Sequence, residues 1–274
     1  MIWLANGYLS NPATDGGRSR IPLLETVNAD GTVHRAETNE DKSHALASAF
    51  FPPKPATSQV PSSHNYPRSI AYQFRLHEAQ LWHHISKLKP HKAPGDDGIP
   101  NIVLKESVEL IVDYLLWIYR AAFMLQTYSD RWRSWITVVL WKPGKANYSI
   151  FKSHCPIALY NTMGKLLTAI IAEDMVYMAE KFHLLPANHF GGRPSRTTTD
   201  LLHLVINKIK GAWRCKKVAI MLFLDIEGAF PHAITDQLLH NLRKWQIPEE
   251  YICFMERMLT NRRTQLKFDG YLSD

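Results

Sequence analysis

Residues 218–230 read VAIMLFLDIEGAF, and this stretch predicts the central strand of the fold. Its first seven residues are all apolar, which is typical of a strand buried on both faces of a sheet. The run ends on Asp225, and the small residues Gly228 and Ala229 come before the aromatic Phe230. A carboxylate at the end of a buried strand suits Mg²⁺, which prefers oxygen ligands and holds substrate phosphates. A strand that simply ends on a polar residue is an equally weighted alternative.

Outside residues 218–230, the chain has irregular segments and two further strand-like segments. Residues 1–37 predict an irregular lead-in, and the proline-rich residues 52–70 predict a linker. Residues 135–141 are β-branched and aromatic, as in a strand. Residues 264–268 alternate before Asp269-Gly270, which is a hairpin signal.

Helical periodicity accounts for most of the remaining chain. The predicted helices span 39–50, 76–89, 102–126, 161–182, 200–210, 235–245 and 248–259. Within 102–126 the apolar residues recur at helical spacing from Leu110 to Phe123. Together with the few strands, these helices predict an α+β fold that is helix-rich and has a small, mostly antiparallel sheet.

Composition narrows the function classes. The 274 residues are 46% hydrophobic, enough for one substantial core or two small ones. A net charge of +7 favours a polyanion such as nucleic acid as partner, and a basic enzyme without such a partner is the even alternative. Cys155, Cys215 and Cys253 lie far apart, which predicts a reduced intracellular protein. We expect no membrane span, because no apolar run approaches the ~20 residues that a span needs.

Four segments carry the strongest functional signal, and their order matters as much as their wording. They are 92–100 (KAPGDDGIP), 138–145 (VVLWKPGK) with 155–159 (CPIAL) and Gly164-Lys165, 188–200 (NHFGGRPSRTTTD), and 223–230 (FLDIEGAF). In this order they resemble the motifs KAPGPDGIP, IPKPGK…YRPIALLNTxGK, QxGFRPGRST and LDIxGAFD of reverse transcriptases from non-LTR (LINE-type) retrotransposons. Fungal elements have especially similar wording, including GAFP, which Pro231 matches.

The resemblance implies the fingers and part of the palm of a right-hand polymerase. An N-terminal extension would span 1–74, the fingers 75–215, and a partial palm with motif A 216–274, with the strand 218–225 at the centre of the palm sheet. The implied activity is RNA-templated DNA synthesis from deoxynucleotides by two-metal phosphoryl transfer, with Mg²⁺, or alternatively Mn²⁺. The implied partners are an RNA template, a DNA primer and deoxynucleoside triphosphates.

The same resemblance assigns roles to single residues. Asp225 matches the catalytic metal ligand of motif A, and Ile226 would add its backbone oxygen. Phe230 matches the aromatic ring that excludes a 2′-hydroxyl. The implied nucleotide-binding residues are Lys142, Lys145, Arg193 and Phe230, and the implied nucleic-acid-binding residues are Lys92, Lys165 and Arg196. For the basic residues, a solvated surface charge is the alternative.

Some family features are missing from this sequence. Motif B and motif C, which supplies the other metal-binding aspartates, have no counterpart in the 274 residues, and His154-Cys155 stand where the family has Tyr-Arg. We therefore expect a truncated chain that is inactive alone and marginally soluble, with the endonuclease, remaining palm and thumb of the polyprotein absent. The alternative function is a non-enzymatic retrotransposon remnant that at most binds nucleic acid. An intact element would act in the nucleus.

Overall fold

The computed structural model describes residues 20–27, 32–55, 57–58, 60–61, 63–226, 228–230 and 232–274. The strands are β1 (Leu24–Val27), β2 (Val33–Ala36), β3 (Ser134–Trp141), β4 (His154–Tyr160), β5 (Arg263–Phe268) and β6 (Tyr271–Leu272). The helices are α1 (Asn39–Phe50), α2 (Glu78–Ser86), α3 (Asn101–Glu106), α4 (Val108–Met124), α5 (Asp130–Arg133), α6 (Thr162–Lys181), α7 (Thr198–Arg214), α8 (Thr235–Lys244) and α9 (Glu249–Leu259). A 3₁₀ turn, Phe151–Ser153, precedes β4. The helix-rich content with small sheets is consistent with the predicted α+β class.

The larger sheet has the order β4-β3-β5-β6. Strands β3 and β4 pair antiparallel, β3 and β5 pair parallel, and β5 and β6 form an antiparallel hairpin. Asp269 and Gly270 turn this hairpin with φ values of 52° and 76°, which the turn type for Asp-Gly requires. The hairpin prediction is confirmed, and two of the three pairings in this sheet are antiparallel.

The predicted irregular lead-in is partly wrong, because β1 and β2 pair antiparallel within it. Residues 1–19 and 28–31 of that lead-in lie outside the described part of the chain. Ile21 and Leu24 are buried and pack in one apolar cluster with Val139 of β3 and Leu266 of β5. The backbone N–H of Ile21 also donates to the Asp269 carboxylate over 2.8 Å. The start of the described chain is therefore fastened to the larger sheet.

The main core lies between helices α2, α4, α6 and α9. Aromatic rings fill it: Phe74 stacks on Phe123 with ring centroids 4.0 Å apart, and Tyr251 and Phe254 approach Phe123 from α9. The buried hydroxyl of Tyr119 donates to the backbone oxygen of Met163 over 2.8 Å, so its polar atom is satisfied. No described helix is both long and apolar enough to cross a membrane.

The predicted helix 102–126 is two helices, α3 and α4, which meet at Ser107 with non-helical backbone angles. Its apolar residues also divide between two sides of α4. Leu115, Tyr119 and Phe123 face the core, whereas Leu110 and Tyr114 are exposed. Periodicity alone did not separate the two sides, because apolar residues occupy both.

The prediction of a buried strand at 218–224 is wrong, and so is its place at the centre of a palm sheet. Residues 217–226 have no helix or strand structure, and Ile220 and Phe223 are 95% and 82% exposed. A strand needs backbone partners as well as apolar side chains, and none of the described strands pairs with this segment. The apolar side chains of residues 218–224 favour burial, but all of these residues are exposed.

Candidate functional site

The loop 92–100 packs directly against the junction between β4 and α6. A Cβ atom built on Gly95 would lie 2.6 Å from the backbone nitrogen of Asn161 and 2.7 Å from the carbonyl carbon of Tyr160. Only glycine allows this approach of two backbones. Gly98 has φ +68° and donates its N–H to the Gly95 oxygen over 3.2 Å, which closes the loop.

Two buried polar side chains lock the same junction. Asn101, at the start of α3, donates from Nδ2 to the backbone oxygen of Lys89 over 2.8 Å. Thr162, at the start of α6, donates from its hydroxyl to Asn101 Oδ1 over 2.9 Å. Both side chains are buried, so breaking either bond leaves a buried polar atom unsatisfied. Sequence reasoning missed both residues, since a lone Asn or Thr at a helix start is common in any protein.

Lys92 and Lys165, the two lysines predicted to bind nucleic acid, come together here. Lys165 is half-buried in the first turns of α6, and its backbone N–H donates to the Asn161 oxygen over 3.0 Å. Burial lowers the pKa of Lys165, the nearby Asp97 carboxylate opposes that shift, and the Lys92 cation adds to it. A partly buried ammonium beside the exposed ammonium of Lys92 favours an anion as ligand.

Arg262 adds a third cation near the β4–α6 junction. Its guanidinium carbon lies 4.5 Å from the ring centroid of Trp135, and the group also donates to the Tyr160 hydroxyl. The backbone of Tyr160 is the surface on which Gly95 packs. Lys92 and Lys165 thus lie near each other, and Arg262 contacts Tyr160 at the end of β4. We call these three residues the cationic junction.

The turn after β3 distinguishes the two lysines that were predicted to bind a nucleotide. The Lys142 ammonium donates to the backbone oxygen of Lys152 over 2.9 Å, and its backbone N–H donates to Ser153 over 2.8 Å. Gly144 turns the chain with φ +76°. Lys145 is exposed, and the described part of the chain offers its ammonium no hydrogen bond or ion pair. Lys142 thus holds the turn, and Lys145 is the lysine available to a ligand.

Arg193 lies in the loop between α6 and α7, where its guanidinium is bonded on three sides. Nε and Nη2 each donate to a Glu180 carboxylate oxygen over 2.7 Å, and Nη1 donates to the Pro186 oxygen over 3.0 Å. The side chain is 6% exposed, and Glu180 raises its pKa. Contact with a nucleotide would require this ion pair to open, so the geometry favours a structural role for Arg193.

Arg196 is held more loosely in the same loop. Nη1 donates to the Ala187 oxygen over 3.0 Å, and the guanidinium carbon lies 5.2 Å from the Phe190 ring centroid. Helix α7 begins after Thr197, whose hydroxyl and backbone exchange hydrogen bonds with Asp200 in a capping box. Helix α7 therefore begins two residues earlier than the predicted helix 200–210.

The residues of the predicted metal site are not assembled with other candidate ligands among the described residues. Asp225 and Ile226 lie in the exposed segment after 217, and Phe230 is 95% exposed. Glu227 and Pro231 fall outside the described residues. Among the described residues no group of three or more His, Cys, Asp or Glu could hold a metal ion. A single exposed carboxylate does not fit Mg²⁺ or Mn²⁺ on its own, since such sites use several oxygen ligands.

Comparison with known proteins places these residues in context. No protein-family model matches the chain. It is 27% identical over 279 positions, 99% of its length, to a Drosophila melanogaster protein described as a probable RNA-directed DNA polymerase from transposon X-element, of which it covers 30%. Over 67% and 69% of its length it is 28% and 26% identical to the RNA-directed DNA polymerases of transposon BS (described as probable) and mobile element jockey from the same species, covering 20% of each. The chain spans about a third of these relatives or less, and these homologues are polymerases of non-LTR retrotransposons.

Proposed function

We propose that this chain, a homologue of non-LTR retrotransposon polymerases, is the part of a reverse transcriptase domain that binds the RNA template and the incoming deoxynucleotide. Residues 75–215 would serve as fingers and 216–274 as part of the palm. The observation that carries the proposal is the cationic junction, where a glycine-dependent backbone contact and the hydrogen bonds of two buried side chains fix the backbone.

The cationic junction suits a nucleic-acid backbone. Phosphate contacts from lysine and arginine supply most of the affinity for RNA and DNA without depending on base sequence. Lys165 is partly withdrawn from water, so a phosphate beside it replaces lost hydration and opposes the repulsion from Lys92. Arg262 is already oriented by the Trp135 ring, which lowers the entropy lost when it binds a phosphate.

The proposed nucleotide contacts are Lys145, Phe230 and Asp225. The exposed Lys145, whose ammonium has no partner among the described residues, lies in the β3–β4 turn and would bind the triphosphate as a point charge. The exposed ring of Phe230 can lie against the sugar, where it would leave no space for a 2′-hydroxyl. Asp225 would contribute one oxygen ligand to a site whose other ligands are not among the described residues.

Nucleic-acid binding without catalysis is the second candidate function. The exposed carboxylate of Asp225 favours it, because Asp225 belongs to no group of three or more candidate metal ligands among the described residues. Both candidates share the cationic junction and differ only in chemistry, so one pair of measurements separates them.

Binding is tested first, by fluorescence anisotropy of a labelled single-stranded RNA. Replacing both Lys92 and Lys165 with alanine should weaken binding by roughly tenfold or more at low salt, since two phosphate contacts are lost. Lys244→Ala, an exposed lysine in the last turn of α8, is the matched control and should bind like the parent chain. Equal affinity for all three proteins would refute the assignment of the cationic junction.

Catalysis is tested second, by primer extension on a primed RNA template with Mg²⁺ and deoxynucleotides. Extension that disappears in the Asp225→Ala variant supports the polymerase. RNA binding without extension by either protein supports the second candidate, with circular dichroism confirming that the variant is folded.

A further inference from the structure

Helix α4 carries an apolar stripe on the side that faces away from the core. The stripe consists of Leu110, Tyr114, Trp117, Ala121 and Met124, which are all exposed. Leu110, Tyr114, Trp117 and Met124 are 78%, 72%, 75% and 78% exposed. Since the other side of α4 is buried in the core, this helix is apolar on two sides, and only one of them is covered by the described residues. A contiguous exposed patch of this kind marks an interaction surface.

The spacing of the stripe is that of a coiled-coil seam. Its members follow one another at intervals of four, three, four and three residues, as the a and d positions of a heptad do. Ile118 and Leu125 are also exposed and widen the stripe on one side. From Leu110 to Leu125 the stripe is about 22 Å long, at ~1.5 Å per residue.

Asp113 and Arg120 border the stripe on its other side, one at each end of the Trp117 turn. Both are exposed. Arg120 is held in place because Nε and Nη2 donate to the backbone oxygen of Leu76 over 3.0 and 2.6 Å. No described residue engages its Nη1 atom. Asp113 lies four residues before Trp117 and Arg120 three residues after it. The border thus carries one acid and one oriented base, on opposite sides of Trp117.

We infer that this face of α4 is a homodimer interface, in which two copies of the helix pack antiparallel about Trp117. A two-fold axis at Trp117 brings Leu110 of one copy against Met124 of the other. It also brings the large Tyr114 ring against the small Ala121, so the volumes alternate as side chains do in a packed seam. The stripe is therefore complementary to itself.

Charge favours the antiparallel arrangement over the parallel one. Antiparallel packing places Asp113 of each copy beside Arg120 of the other, which makes two opposite-charge pairs at the border. Parallel packing would set each of these residues beside Ile118 of the other copy, which offers no charge. A second copy thus buries the apolar stripe and pairs the charged residues at its border.

The size of the stripe sets the expected strength. One helix face of this length buries on the order of 1,000 Å² in total, the lower end for specific interfaces. We therefore expect a reversible dimer with a dissociation constant in the micromolar range, rather than an obligate one.

Sedimentation velocity over a concentration series tests the dimer. Trp117→Glu places a charge at the two-fold axis and should raise the dissociation constant by about tenfold or more, because central tryptophans dominate such interfaces. Trp213→Glu makes the same change at a 65% exposed tryptophan on α7 and should leave the dimer intact. A parent chain that stays monomeric throughout the micromolar range overturns the inference and leaves the face to a different polypeptide. Association that both variants retain, or both lose, overturns it as well.

Cysteine cross-linking tests the orientation, with the exposed Cys215 replaced by serine. Leu110→Cys and Met124→Cys are prepared as separate proteins, mixed and oxidised. The antiparallel dimer gives a disulfide between the two different proteins. Self-linked Leu110→Cys in its place would show parallel packing and contradict the proposed geometry. Because each of these side chains is exposed in the monomer, the substitutions leave the core intact.

Discussion

Gly95 shows how one residue fixes the geometry of the cationic junction. A side chain at this position would meet backbone atoms of Tyr160 and Asn161, which cannot swing aside as a flexible side chain would. The segment 92–100 resembles a family motif, and that resemblance did not reveal that the loop packs on a strand end more than sixty positions later in the sequence. Local sequence propensities cannot predict such a contact between distant segments.

We therefore expect Gly95→Ala to lower the free energy of unfolding by about 1–3 kcal/mol, through overpacking against rigid backbone. Urea denaturation followed by circular dichroism measures the change. Gly211→Ala, at a helical glycine with open space around it, should cause no loss of stability. If the two variants unfolded alike, the close approach at Gly95 would be of no consequence.

His240 of α8 gives stability a dependence on pH. Burial, with His64 and then Lys244 and Arg243 nearby, lowers the pKa of His240 below its ordinary value of 6.5. The unfolded chain thus takes up a proton before the folded protein does, so the free energy of unfolding falls as pH drops through 6.5. His240→Gln should flatten this fall in denaturation curves measured at a series of pH values. An unchanged pH dependence in the variant would assign the effect to another group.

Among the elements, the apolar run 218–224 and helix α4 mark the limit of sequence reasoning. Helix positions and the Asp269-Gly270 hairpin could be predicted, because caps, periodicity and turn chemistry are local. The lack of strand pairing in the run 218–224 could not be predicted. Its apolar side chains favour burial, but none of the described strands pairs with it. At the candidate site, the roles of Lys92, Lys165 and Lys145 stay predictions, and the sequence could not show that Glu180 would form an ion pair with Arg193.

The exposed run makes a direct prediction at this scale. Ile220→Ala should change the free energy of unfolding by less than about 0.5 kcal/mol, because the side chain is 95% exposed. The same substitution at Ile170, fully buried in α6, should cost about 2–5 kcal/mol. Chemical denaturation of both variants makes the comparison. A large loss at Ile220 would restore the buried strand that the sequence predicted.

For the whole molecule, the net charge of +7 and the cationic junction make different contributions to binding. The overall charge raises the rate of encounter with any polyanion, whereas fixed contacts displace counterions in proportion to their number. For single-stranded RNA the slope of log affinity against log salt is about −0.7 per phosphate contact. Removing Lys92 and Lys165 should therefore make that slope shallower by about 1.4, as a salt titration of RNA binding would measure. The Lys244→Ala control should keep the parent slope.

The parallel pairing of β3 with β5 has a consequence for synthesis on the ribosome. Thr137 and Thr264 share a hydrogen bond of 2.7 Å across 127 positions of sequence, and Ile21 reaches Asp269 across 248. Strand β3 leaves the ribosome long before β5, so one of its edges stays open while α6 to α9 are made. Contacts of such long range form slowly, and an open edge invites other chains in the meantime. The nascent protein thus passes through a vulnerable interval, which ends when β5 docks onto β3.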